Sequence, residues 1–154
     1  AVLAEGSSGI RIFDLGDPAT PIEVGRWNRT DAGPGDAVVR VAVADRIAFV
    51  VSAFYREPTK PPVPDAWLDV VDLSDPAHPS WLGSTWVCGW PSAVASSRDV
   101  VHLGVATRSY VIDVFDPTDP VDQGHGGKRG GEPSGLTVRE SDAVVPISPI
   151  FDID

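Results

Sequence analysis

The sequence predicts an all-β fold: a β-propeller of four-stranded antiparallel blades, of which about three and a half fall within the chain. Three observations predict it. A short phrase recurs, reading I-R-I-F-D-L-G-D-P-A-T-P at residues 10–21, L-D-V-V-D-L-S-D-P-A-H-P at 68–79 and S-Y-V-I-D-V-F-D-P-T-D-P at 109–120, with a clipped copy at Ile150–Asp154. The Asp that closes each apolar run recurs at 14, 72, 113 and 152, at intervals of 58, 41 and 39 residues. Without a Pro- and charge-rich insertion at Ala53–Ala66 the period is roughly 40, the spacing of a four-stranded blade. No segment carries a sustained apolar stripe of helical period, which excludes a helical solenoid.

Each period divides into strand-like runs separated by turn chemistry. The first unit supplies three, Val2–Glu5, Ile10–Leu15 and Ile22–Trp27, and lacks its first strand. The second opens with Ala37–Ala44, where Val39, Val41 and Val43 alternate. Asp45-Arg46 then turns into Ile47–Ser52, whose near-continuous apolar character predicts burial on both faces. Trp67–Leu73 and Ser80–Trp86 complete that unit around the Asp75-Pro76 turn. The third contains Ser92–Ser96, Val100–Val105, Ser109–Val114 and a weak strand near Val121–Gly124. The last has Leu136–Arg139, Ala143–Ile147 and Ile150–Ile153. The predicted blade pieces are thus 1–27, 37–86, 92–124 and 136–154, about fourteen strands that begin and end in mid-blade. Ragged ends leave strand edges and apolar faces uncovered. The expected partners are therefore the remaining blades of a larger ring or another copy of the chain.

Composition narrows the function classes. Valine is abundant and Met absent, while 15 Gly and 15 Pro imply many turns. The net charge of −10 argues against nucleic acid as a partner, because phosphate binding needs a basic face for counterion release. No run of 18 apolar residues is present, so no membrane span is expected. Cys88 is the only cysteine and reads as a small packed side chain.

The phrases Gly9–Gly25 and Leu68–Gly83 resemble the LVIVD repeat. The third copy departs from them, with Phe115 where Gly16 and Ser74 stand and Asp119 before its second Pro. The resemblance implies a β-propeller of bacterial or archaeal secreted, periplasmic or surface proteins, and it implies no defined reaction or cofactor.

Several features invite a chemical reading. The pairs Asp14/Asp17, Asp72/Asp75 and Asp113/Asp116 look like paired acids or Ca²⁺ ligands, but an Asp before Pro is a turn former, and a feature repeated in every blade is what a blade needs to fold. The Gly-rich stretch Gly124–Gly131 lacks the Ser or Thr after its Lys, and the following helix, that a phosphate loop requires. His78, His102 and His125 are scattered, without the spacing of a zinc site, so no metal and no cofactor is expected. Trp27, Trp81 and Trp86 fall on last strands and suit packing between blades, with a stacking surface for a sugar or aromatic ligand as the alternative. Trp67 and Trp90 border loops and suit a wet surface.

Loop length localises a site. In an up-and-down blade the second-to-third loop and the connection to the next blade emerge on one face, and function in propellers lives on such loops. The binding residues expected there are Asp31 and Asp36 from the first long connection, and Tyr55, Arg56, Glu57 and Lys60 from the insertion. Trp90, His125, Lys128 and Arg129 complete the set. The reading is a non-catalytic scaffold or binding module presenting a loop-rich face to a protein or glycan. The alternatives are a propeller hydrolase or oxidoreductase with its site at the channel mouth, and a purely structural segment of a larger surface protein.

Overall fold

A computed structural model describes residues 1–30, 36–56, 63–97, 99–105, 108–126, 137–139 and 142–144, and among them every regular element is a strand. Sheet one contains β1 (Val2–Ala4), β2 (Ile10–Asp14) and β3 (Ile22–Trp27). Sheet two contains β4 (Ala37–Ala44), β5 (Ile47–Arg56), β6 (Val63–Asp72) and β7 (Ser80–Cys88). Sheet three contains β8 (Pro91–Ser96), β9 (Val100–Val105), β10 (Arg108–Asp113) and β11 (Val121–Gly126), and β12 (Thr137–Arg139) pairs with β13 (Asp142–Val144) in a hairpin. In each sheet, chain neighbours pair antiparallel in sequence order. These sheets are propeller blades in an open ring. Its closest approaches between sheets run through the early strands, β1 with β4 and both β4 and β5 with β8.

Alternation along β5 places the core. Ala48 and Val50 face sheet one and join Ile10, Val38 and Val71, whereas Phe49 and Val51 face sheet three and join Leu68, Val70, Val101, Leu103 and Ile112. The apolar run Ile47–Ser52 is therefore buried on both faces because a blade lies on each side of it. Each such Val, Leu or Phe contributes about 1.5–3 kcal/mol by leaving water. The β4–β5 hairpin closes on Asp45, whose φ of 53° is a left-handed conformation that Asp tolerates.

A bulge recurs at one place in each of the three larger described sheets. The register of the last two strands shifts between Ile12 and Phe13, between Val70 and Val71, and between Val111 and Ile112. In each case the step falls one and two residues before the closing Asp. The extra residue on the partner strand is Val24, Leu82 or Gln123, and a glycine follows it each time: Gly25, Gly83 and Gly124. Gly25 lies under Pro76 and Ala77 of the second blade's Asp-Pro turn, and Gly83 under Pro117 and Thr118 of the third's. Each glycine thus seats the turn of the blade after it.

The strands run further than the sequence pattern indicated. β5 continues to Arg56 and β6 begins at Val63, so most of the predicted insertion 53–66 is hairpin. Pro64 pairs with Tyr55 on β5 alone, because β7 pairing begins only at Asp65 opposite Cys88, so β6 has a single neighbour there, the edge setting in which proline occurs. Likewise β11 extends through His125 to Gly126. Thirteen strands are described; the predicted strand at 150–153 lies outside the described residues.

Candidate functional site

β3 and β7 are the last strands of their sheets, and a cleft of about 280 Å³ opens between the exit of the first and the start of the second. Its walls are Trp27, Asn28, Arg29 and Thr30 on one side and Trp81 on the other. Trp27 packs into the core between sheets one and two. Trp81 is 55 % exposed. The strand pairing explains why tryptophans gather on this side of sheet two. Trp81 lies opposite Val71 and Trp86 opposite Trp67; residues directly opposite share a face, and Val71 faces sheet one. Trp86 stands 40 % exposed on the same face.

The cleft has a fixed polar wall. Arg29 Nη1 donates to Asp69 Oδ1 at 2.9 Å across the blade boundary, with Asp69 fully buried and Arg29 nearly so. The guanidinium also lies over the Trp67 ring, 4.5 Å from its centroid, a cation–π geometry. Asn28 donates through Nδ2 to Ser7 O at 3.0 Å and accepts from Arg29 N at 2.9 Å. Both Asn28 and Arg29 are therefore held before any ligand arrives. The arrangement suits a small ring with an apolar face and polar edges: an indole to stack on, with the Thr30 hydroxyl and the guanidinium side of the cleft within reach.

The repeated carboxylates do different work. Asp14, Asp17, Asp72, Asp75, Asp113 and Asp116 each accept the backbone N–H two residues on, at 2.8–3.0 Å. They are turn formers. Hydrogen bonds hold several of these carboxyls below the usual aspartate pKa: Asp17 through Ala19 N–H and Thr20, Asp72 and Asp116 through Ser74 and Thr118, and Asp75 through His78 and then Ala77 N–H. His102 on β9 has its pKa lowered by burial. Among the described residues no group of three or more His, Cys, Asp or Glu is placed to hold a metal ion.

The residues nominated from sequence are not assembled into one described site. Asp36 immediately precedes β4, and Trp90 is exposed between β7 and β8. Tyr55 and Arg56 belong to β5 and His125 to β11, on strands rather than loops. Asp31, Glu57, Lys60, Lys128 and Arg129 lie outside the described residues. Trp67, expected on a wet surface, is half-buried under Arg29. Trp81 and Trp86, expected between blades, lie on the face of sheet two toward sheet one, 55 % and 40 % exposed. Sequence reasoning pointed to the first long connection through Asp31 and Asp36 but not to Asn28, Arg29 or Thr30 beside them, and missed Asp69. The available signal was an acidic residue inside an otherwise apolar central strand, Leu68-Asp69-Val70, which needs a buried cation.

The comparison with known families bears on this same region. Residues 63–86 match the LVIVD repeat. The chain carries an LVIVD repeat. The matched stretch spans β6, the Asp75-Pro76 turn and β7 as far as Trp86, so it contains Trp81 of the cleft and the two residues that hold Arg29, Trp67 and Asp69. No curated protein matches the chain.

Proposed function

We propose that this chain is a non-catalytic propeller scaffold whose rim cleft binds a carbohydrate. The observation that carries the reading is Trp81, more than half exposed at the cleft edge, facing a wall pre-set by the Arg29–Asp69 pair. A folded protein gains nothing in stability from an indole in water, whereas a sugar ring stacks its C–H face on indole and offers hydroxyls to neighbouring donors. The cleft's volume of about 280 Å³ accommodates a single ring, at the small end of ligand pockets, so affinity would come from stacking and preorganisation. Titration with neutral mono- and oligosaccharides, followed by tryptophan fluorescence, tests it. Saturable quenching that Trp81→Ala abolishes is the expected outcome. Quenching that survives Trp81→Ala, or none with any sugar, removes the carbohydrate reading and leaves a protein partner as the ligand class.

A further inference from the structure

Two tryptophans share one face of the outer strand β7. Trp81 pairs with Val71 and Trp86 with Trp67. Val71 and Trp67 are four residues apart on β6, so both indoles project to the side of sheet two that faces sheet one. At a rise of about 3.3 Å per residue they stand about 13 Å apart along the strand. Ser84, opposite Asp69, takes the position between them. Both indoles are open to solvent, Trp81 more than Trp86. Blade folding does not account for the pair. The register position of Trp81 is held by Glu23 on β3, opposite Phe13, and by Asp122 on β11, opposite Ile112. Three residues beyond the bulge glycine, where β7 has Trp86, the chain has Asn28 after β3. A residue that each blade needed in order to fold would recur at that place, as the closing Asp residues do.

Arg29 joins one indole to the other. It lines the cleft beside Trp81 and binds Asp69 in the row of Ser84. Its guanidinium also lies over Trp67, the cross-strand neighbour of Trp86. Of the three rows, Val71–Trp81, Asp69–Ser84 and Trp67–Trp86, only the middle one carries a charged side chain, and Arg29 neutralises it. The strip therefore offers an indole at each end and a paired, uncharged polar stretch between them. A chain of neutral sugar rings matches that order, with C–H faces to stack on the indoles and hydroxyls for the stretch between. A charged chain would find no free counter-charge there, and a single ring is too short to reach both indoles.

We propose that Trp86 is a second stacking subsite and that the ligand is a neutral oligosaccharide, a trisaccharide or longer, lying along β7 from Trp81 to Trp86. The proposal rests on the carbohydrate reading of the cleft and extends it from a ring to a chain. Both platforms stand on one strand of one sheet, so their separation is fixed before the ligand arrives, and the second contact adds affinity without a further ordering cost in the protein.

Calorimetric titration of the whole chain with cello-oligosaccharides and chito-oligosaccharides, from the single sugar to the hexamer, tests this. The Kd falls by about tenfold between the single ring and the tetrasaccharide, the contribution of one added stacking contact. Trp86→Ala and Trp86→Leu each abolish that gain with length, and Trp86→Phe, which keeps a ring, retains most of it. The leucine variant preserves apolar bulk beside Trp67, so it keeps the test decisive where alanine loosens the sheet. An affinity independent of length, or a gain that persists in both the alanine and leucine variants, would overturn the proposal while leaving the Trp81 cleft a sugar site. Absence of binding at every length would overturn both readings together.

Discussion

At the scale of single residues, a methyl group is the smallest probe of how the blades are joined. Gly83→Ala places a carbon 2.5 Å from the carbonyl oxygen of Thr118. The obstacle is backbone, so the blades must separate locally. The expected cost is about 1–3 kcal/mol, as for overpacking a close-packed interior, read as a lower urea midpoint with an unchanged slope. The Arg29–Asp69 pair is the second residue-scale lock. Arg29→Ala removes a cation from a fully buried carboxylate and exposes the Trp67 ring. A loss of about 3 kcal/mol is expected, the lower end of the range for removing one member of a buried pair. Asp69→Asn spares the shape while removing the charge, so Arg29→Ala/Asp69→Asn should be less destabilised than the sum of the single changes. Strict additivity in that cycle would mean the two side chains do not interact.

At the scale of strands and turns, Trp81 sits on β7 beside a bulge that positions Gly83, so its exposure is imposed by the blade rather than by the cleft. Trp81→Ala should therefore leave the thermal midpoint within about 2 °C, as a surface change worth under half a kcal/mol does. This is the element scale at which the sequence was most legible. The period of the closing Asp residues, the alternation in Ala37–Ala44 and the two-faced run Ile47–Ser52 located the blades and their order. Strand ends were less legible: the Pro- and charge-rich stretch 53–66 reads as an insertion, whereas Pro64 lies on β6 where β5 is its single neighbour. The cleft was illegible because its two walls belong to different blades. Nothing local connects Arg29 to Asp69, 40 residues on, and only stacking of sheets one and two brings them together. Exposed Trp81 and half-buried Trp67 likewise look alike in sequence.

For the whole molecule, stability is close to a sum over neighbouring blades, so a feature repeated in each blade acts several times over. The turn carboxylates of Asp17, Asp75 and Asp116 are such a feature, each with its folded-state pKa held below the ordinary aspartate value of 3.8 by the hydrogen bonds it accepts. A depressed folded pKa contributes stability that is complete above the unfolded value and is lost as pH falls through the folded one. Acid unfolding should therefore steepen below about pH 3.8. His102 acts in an earlier window: burial lowers its pKa from 6.5, so protonation penalises the folded state and stability begins to fall as pH drops below that value. The triple change Asp17→Asn, Asp75→Asn and Asp116→Asn removes the first contribution and leaves the second. Its urea midpoint should lie below the wild type's at pH 7 and converge towards it as pH falls below 3.8, while the shallow loss that begins below pH 6.5 persists in both. Curves that stay parallel down to pH 2 would show that the carboxylates hold their turns equally well without charge, and acid sensitivity would then have to come from elsewhere in the chain.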